Sequence, residues 1–506
     1  MNHPSCGVLL HLTSLPSPYG IGTLGQAAYD FVDFLTAAGQ TAWQILPIGP
    51  TGYGDSPYQT FSTFAGNPYL IDLDQLIHEG LLTQAEVDSV SWGDHADQVD
   101  FARLYRTRLP LFHRAFERFQ RNPSTEFSTF CQMEAAWLED YALFMAIKAH
   151  FHNGPWTDWP EPLRQREPTA LAECRITCAD AIAFHRFLQY EFYRQWKRFH
   201  AYTQQKGVKL IGDLPIYVPL DSADFWCQPD AFQIDPDGRP TYVAGCPPDS
   251  FSTEGQYWGN PIYDWDAMER DGFSWWMRRI AAAGRLFDVI RIDHFRGIES
   301  YWAIPAHSAT AKAGHWVKGP GKTLLTAIRT HFPDLDFIAE DLGFLTEDVF
   351  ALVRESGFPG MKVLEFAFDP TEPSCYLPHL HPKHCVCYTG THDNATLFQW
   401  CQESPLEVTD YARRYLGIAP QDDLALSLLR RGLASPADLF LAQMQDYLGL
   451  GGTARMNEPG TLKPENWRWR VTPEQLTPSL AHTMRTLAQE AGRLPTHKTQ
   501  EQMSYE

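Results

Sequence analysis

The stretch Asp288-Val289-Ile290-Arg291-Ile292-Asp293-His294-Phe295-Arg296-Gly297 decides the fold. It reads as a short strand with a split personality. Ile290 and Ile292 share one face and suit packing against helices. Arg291 and Asp293 share the other and point into the sheet's interior. A buried charge is costly unless paired, and Arg291 beside Asp293 would hold that carboxylate ionised. A purely structural ion pair is the alternative reading of this strand alone.

Similar runs recur on both sides of it. They begin at Gly7 (GVLLHLTSLP), Thr41 (TAWQILPIGP), Lys209 (KLIGDLPIYV), Phe337 (FIAEDLG), Met361 (MKVLEFAF) and Cys385 (CVCYTGTHDN). Each reads as a buried strand that stops at polar or charged residues. Helical patterns lie between several of them, such as AAYDFVDFLTAAG and KTLLTAIRTHF. Strand and helix in alternation predict a parallel α/β fold. Seven runs fit an α/β (β/α)8 TIM barrel whose eighth strand falls near Gln443–Leu450. We read residues 1–506 as a single catalytic barrel domain carrying two insertions. One, at about 75–205, is helical and includes LYRTRLPLFHRAFERFQ and AFHRFLQYEFYRQWKRFHAY. The other, at 219–284, is loop-rich in Pro, Gly, Asp and Trp and is expected over the C-terminal face. The last dozen residues read as a frayed tail.

Composition narrows the function. Lys and Arg number 41 against 61 Asp and Glu, a formal charge of −20. That disfavours nucleic acid and does not penalise a neutral, hydroxyl-rich ligand. No apolar run approaches the roughly 18 residues of a membrane helix, and the N-terminus lacks a basic leader. The ten scattered Cys read as free thiols of a reducing cytoplasm. Cys385 and Cys387 share a strand face, but no second Cys or His pair stands at zinc spacing, so no metal is expected. Aromatics make up 13% of the chain, serving either a large core or the stacking of sugar rings.

In a barrel, active sites sit where strands end. Asp213, Asp293, Glu340 and Asp393 all fall at predicted strand ends, with His392 beside the last. Four acids on one rim repel one another, which is costly for structure alone. Glycoside chemistry needs that tension: one ionised carboxylate and one protonated acid. Asp293 is expected to attack the anomeric carbon. Glu340, its pKa raised by neighbouring negative charge, is expected to protonate the departing oxygen. Retention requires the two carboxyls to stand about 5–5.5 Å apart. Asp393 and His392 are expected to hold ring hydroxyls.

RIDHFRG, IAEDLG and GTHDN, in this order, resemble the signatures of the amylomaltase family, glycoside hydrolases related to the α-amylases. Ser56-Pro57-Tyr58-Gln59, Gly212-Asp213-Leu214-Pro215, Trp258-Gly259-Asn260-Pro261, Trp316-Val317-Lys318-Gly319-Pro320-Gly321 and Ala454-Arg455-Met456-Asn457 extend the likeness over most of the chain. The resemblance implies 4-α-glucanotransferase activity by a retaining route, acting on α-1,4-glucans and maltooligosaccharides without cofactor or metal. It also implies a cytoplasmic location, and we expect a monomer or weak oligomer. It makes Asp293 the nucleophile, Glu340 the acid/base and Asp393 the third carboxylate. It places Tyr58, Asp213, Arg291, His294 and His392 in the same subsite. Asp249, Phe251, Gln256, Trp258, Phe366 and Asn457 complete the expected substrate-binding set. Bland readings stand beside these: Tyr58 as a core aromatic, His294 as a structural histidine alternating away from Asp293, and Asp213 as an orienting group. The segment Gly245–Ser252 resembles the family's loop over the cleft but departs from it. Ser250 stands where Tyr is usual and Cys246 where Val is common; Ala395 replaces a common Asp.

An α-glucan hydrolase of the same superfamily and an inactive glucan-binding barrel are the rival readings. Retention of all three acids argues against the second.

Overall fold

Why the inner face of these strands changes character along its length is visible once they are assembled. The computed structural model describes residues 3–248 and 253–495. Among these, twelve strands occur: β1 (Ser5–Leu9), β2 (Ala42–Gln44), β3 (Lys209–Pro215), β4 (Tyr242–Cys246), β5 (Gln256–Pro261), β6 (Val289–Asp293), β7 (Ser300–Pro305), β8 (His315–Lys318), β9 (Asp336–Ala339), β10 (Gly360–Val363), β11 (Cys385–Tyr388) and β12 (Leu439–Gln443). Eight form one parallel sheet in the order β10-β11-β12-β1-β2-β3-β6-β9. The ends nearly meet. The Ala339 N–H donates to the Pro359 carbonyl at 2.9 Å, and the Met361 N–H donates to Asp341 Oδ1 at 2.6 Å. The result is a (β/α)8 TIM barrel.

Alternation divides the side chains as the β6 segment foretold. Ala42, Ile211, Val289, Ile338, Met361, Val386, Tyr388, Leu439 and Leu441 fill the barrel interior. Ile290 and Ile292 belong instead to the core shared with the surrounding helices. Arg291 pairs with Asp213 across β3 and β6, and Asp293 with Pro215.

The eighth strand lies earlier than the sequence reading placed it. The buried apolar run Leu439–Gln443 forms β12, paired with β1 and β11. The region read as a strand, Gln443–Leu450, turns instead through a helix at Met444–Tyr447 and through Gly449 at φ 64°.

Between β2 and β3 run eight α-helices among the described residues, the longest Phe101–Phe119, Ala135–His150 and Ala179–Gln205. The last buries Phe187, Phe192, Trp196 and Phe199. The stretch after β3, read as loop, also contributes β4 and β5. These join β7 and β8 in an antiparallel sheet ordered β5-β4-β7-β8. Its docking is polar as well as apolar: Asn260 Nδ2 donates to the Val218 carbonyl at 2.9 Å, and Tyr263 Oη to the Ile216 carbonyl at 2.9 Å. Residues 496–506, including nearly all of the expected tail, lie outside the described residues.

Candidate active site

Following the interior upward, apolar residues give way to polar ones two positions on. Ile211 leads to Asp213, Val289 to Arg291 and Asp293, Ile338 to Glu340, and Ala42 to Gln44. Tyr388 marks the changeover, its hydroxyl donating to Gln44 Oε1 at 2.6 Å. Polar groups at this depth demand partners, and they find them in each other.

Arg291 is the hub. Its Nη1 donates to Asp213 Oδ1 and Oδ2 at 2.6 and 2.7 Å and to Asp293 Oδ1 at 2.9 Å. Burial works against the guanidinium charge, but Asp213 and Asp293 outweigh it and keep Arg291 protonated. Asp213 is wholly buried, whereas the Asp293 side chain is 26% exposed and open to a ligand. Burial pushes Asp213 above the usual carboxylate range; Arg291 and the Tyr58 hydroxyl, donating to Oδ2 at 2.6 Å, oppose it. Tyr58 thus joins this cluster, and its ring lies against that of His392, 5.1 Å apart and 15° from parallel.

Glu340 follows β9 directly. Its Oε2 accepts the backbone N–H of His294 at 2.6 Å, and its Oε1 accepts that of Leu342 at 3.1 Å. The acid therefore touches the residue next to Asp293. Burial first, and the Asp293 charge second, push Glu340 well above the ordinary glutamate range. Both effects favour its protonated form.

His294 explains how this contact arises. Strand β6 ends at Asp293, and His294 takes φ 52°, a left-handed conformation uncommon for a bulky residue. Strain of this kind costs of order ~1–3 kcal/mol and marks functional positions. The turn aims the N–H at Glu340 and leaves the ring edge-on to Trp258, at 4.9 Å and 87°. Burial holds this imidazole down to about 4, hence neutral at physiological pH.

Past β11, the chain leaves the barrel as Thr389–Thr396. His392 Nε2 lies 3.3 Å from Asp393 Oδ1. Asn457 Nδ2 donates to the same Oδ1 at 2.6 Å. The Asp393 side chain is 43% exposed. Gly390 is required here: a Cβ would stand 2.8 Å from Glu365 Oε1 and 2.9 Å from Gln443 Nε2.

Trp258, on β5, donates from Nε1 to Gln256 Oε1 at 3.0 Å, so both belong to the wall beside His294. Phe366 stands past β10, 37% exposed, but its ring contact is with Tyr376 rather than with the carboxylates. Asp249 and Phe251, with Ser250, lie outside the described residues, while Cys246 closes β4. Ala395 supplies a carbonyl to Gln443 Nε2 at 2.8 Å, so the loop is tied through its backbone at this position.

Four residues here were not singled out from sequence. Trp467 backs both Tyr58 and His392, with centroids 5.9 and 5.8 Å away. His11, held down to about 3 by burial and by His392, accepts the Leu46 N–H on Nδ1 at 3.2 Å. Glu365 lies under the loop of Asp393, raised well above the ordinary range by burial and by Asp446. Arg455 was legible only as part of a motif; its Nη2 donates to the Asp393 carbonyl at 2.6 Å.

Among the described residues, no group of three or more His, Cys, Asp or Glu is placed to hold a metal ion. Among the described residues, no helix is long and apolar enough to cross a membrane. Cys6, Cys385 and Cys387 are buried thiols that form no disulfide.

A TIM barrel whose C-terminal rim sets an arginine-paired aspartate beside a glutamate driven toward its protonated form defines a class: barrel enzymes that act on glycosidic bonds. A family model described as 4-alpha-glucanotransferase matches residues 10–477. The 4-alpha-glucanotransferase of Streptococcus pneumoniae is 48% identical over 483 residues, 95% of each chain. That of Thermus thermophilus is 47% identical over 500 residues, 96% of this chain and 99% of that one. The solved amylomaltase of Streptococcus agalactiae, in complex with acarbose, superposes with a TM-score of 0.95 at 40% identity, covering 97% of this chain and all of that one. The chain belongs to the 4-α-glucanotransferase family.

Proposed function

We propose that this enzyme moves a segment of an α-1,4-glucan to the 4-hydroxyl of an acceptor glucose or glucan by two displacements at one carbon. The observation that carries the proposal is the pairing of Asp293 and Glu340. Arg291 donates to Asp293 at 2.9 Å, while Glu340 accepts the next residue's N–H at 2.6 Å and is driven upward by burial and by Asp293. A glutamate that burial drives toward its protonated form, beside an aspartate paired with arginine, supports the roles of acid and nucleophile.

In the first displacement an Asp293 oxygen bonds to the anomeric carbon as that carbon's bond to the glycosidic oxygen breaks. The Glu340 proton passes to the departing oxygen, leaving Glu340 as carboxylate. In the second, Glu340 takes the proton of the acceptor hydroxyl, whose oxygen bonds to the anomeric carbon while the ester to Asp293 breaks. Both carboxyls return to their starting states, and two inversions give retention. Asp393, with His392 beside it, grips ring hydroxyls that bind more tightly as positive charge develops on the ring. Tyr58 and Asp213 hold Arg291 in register.

Transfer prevails over hydrolysis when an acceptor sugar, rather than water, reaches the ester. The wall formed by Trp258 and Gln256 supports that reading, as does the acarbose complex of the streptococcal relative. Phe366 and Asn457 extend glucan contacts on the rim. Intramolecular transfer by the same chemistry gives cyclic glucans. Buried thiols such as Cys6, Cys385 and Cys387, which form no disulfide, support a cytoplasmic setting, and we take the working form as a monomer or weak oligomer with no cofactor.

Incubation with pure maltotriose tests the proposal. Glucose together with longer maltooligosaccharides is the expected outcome. Shorter products alone would make the enzyme a hydrolase.

A further inference from the structure

Within the loop that presents Asp393, the Asp393 N–H donates to Thr391 Oγ1 at 3.3 Å and the Asn394 N–H to the Thr391 carbonyl at 3.2 Å. Asn394 Oδ1 accepts the Thr391 N–H and hydroxyl, each at 2.9 Å, which shapes the loop but does not anchor it. Besides the Gln443 bond to the Ala395 carbonyl at 2.8 Å, an anchor near Asp393 itself comes from a later segment. Arg455 Nη2 donates to the Asp393 carbonyl at 2.6 Å, and Arg455 Nε donates to the Asn457 carbonyl at 2.8 Å. Asn457 in turn gives its N–H to the His392 carbonyl at 3.1 Å and its Nδ2 to Asp393 Oδ1 at 2.6 Å. One guanidinium thus ties the loop's backbone to the residue that clamps its carboxylate.

The segment is itself braced. The Trp467 N–H donates to the Met456 carbonyl at 2.7 Å, and Gln445 Nε2 to the Ala454 carbonyl at 3.1 Å. Glu365 and Gln443 crowd the loop at Gly390, where no Cβ fits. The loop is therefore gripped at its base by crowding and at its tip by Arg455.

We propose that Arg455 is a positioning residue for glycosyl transfer, setting the aim of Asp393 by holding the Asp393 and Asn457 carbonyls at once. The inference rests on the reading of Asp393 as the hydroxyl-gripping carboxylate. Asn457 and His392 both lie on Oδ1, and the Asp393 side chain is 43% exposed. The grip of this carboxylate matters most in the transition state, so a loss of aim falls on kcat rather than on KM. The planar fork is essential. A lysine carries the charge as a point on a flexible stem and cannot reproduce both bonds in one plane.

A double-mutant cycle with the full chain tests this, using α-maltotriosyl fluoride as donor and glucose as acceptor so that slow variants remain measurable. Arg455→Met is expected to lower kcat about 10–100-fold while KM changes less than about twofold. In an Asp393→Ala background the same substitution is expected to change kcat by less than about twofold, because the residue it acts through is gone. Arg455→Lys, the gentler change should Arg455→Met fail to fold, is expected to show the same kcat loss and the same dependence on Asp393. Millimolar guanidinium ion is expected to restore part of the kcat of Arg455→Met. A large loss in Asp393→Ala that multiplies with the loss in Arg455→Met would overturn the role of Arg455 alone. Wild-type kcat in either Arg455 variant, or an effect confined to KM, would overturn it too. Wild-type kcat in Asp393→Ala would overturn the reading of Asp393 and this inference with it.

Discussion

Replacing Glu340 by Gln separates the chemistry of this site from its architecture. Glu340 accepts two backbone N–H groups, from His294 at 2.6 Å and Leu342 at 3.1 Å. Glutamine keeps one carbonyl oxygen and turns an amide NH2 toward the other donor. One hydrogen bond is lost and one buried donor is left facing another, a cost of about 1–3 kcal/mol. For a chain of this size that lowers the melting temperature by only a few degrees, since specific unfolding entropies of about 2 cal/mol/K per residue make each degree expensive. Activity on maltotriose should fall far more, by about 10²–10⁴-fold, because Gln has no proton to give. The two losses differ in how they respond to the donor. Fluoride leaves without a proton, so α-maltotriosyl fluoride should form the ester to Asp293 at close to the wild-type rate. That ester then persists, as no base activates the acceptor. Azide, which needs no base, should resolve it to an α-glycosyl azide with the donor's configuration. Wild-type kcat/KM should also fall at alkaline pH as Glu340, held well above the ordinary range by burial and by Asp293, gives up its proton. That limb should vanish in Glu340→Gln with the fluoride donor. Unchanged maltotriose activity, or a β-azide, would refute the assignment.

Three further outcomes follow from particular contacts. Tyr58→Phe keeps the ring on His392 but loses the hydrogen bond to Asp213, worth roughly 1.5–3 kcal/mol for a charged partner; kcat/KM should drop about tenfold or more, and wild-type kinetics would deny the Tyr58 hydroxyl a part in holding Asp213 against Arg291. Trp258→Ala removes the edge contact with His294 and opens the wall, so the share of maltotriose turned over by water should rise while total donor consumption changes less, measured as reducing ends per glucose released. Asp224 is raised to about 7, burial being the main cause, against about 3.9 when unfolded. The folded state then binds this proton more tightly, so its contribution is present below about pH 4 and is lost as pH rises to about 7, on the order of 4 kcal/mol in all. Asp224→Asn should therefore lose less stability than wild type between pH 5 and 8 in urea melts, and equal slopes would contradict the shift.

Much of the barrel was legible because its inner face obeys a two-residue period. From that period alone Ile290 and Ile292 go to the helices and Arg291 and Asp293 to the interior, as the two cores confirm. Glu340 was legible for the same reason, two residues beyond Ile338. His294 was not, since an ideal strand points it away from Asp293; a left-handed turn at φ 52° brings its amide to Glu340 instead. The eighth strand was misplaced because its apolar run, Leu439–Ala442, merges with polar and glycine-rich chain that carries no strand period. The β5-β4-β7-β8 sheet was invisible for another reason. Strand β4 pairs with β7, on the far side of β6, and no local pattern announces a partner so distant. Trp467 lies in a Trp-Arg-Trp stretch without period and takes φ 68°, so nothing local tied it to Tyr58 and His392.

The mass of the trapped protein tests the central claim most directly. Glu340→Gln, treated with α-maltotriosyl fluoride and quenched in acid, should gain one maltotriosyl unit, and peptic digestion should locate it on the peptide bearing Asp293. A maltotriosyl group on any other carboxylate, or product formation at the wild-type rate with no adduct under the same conditions, would contradict the account.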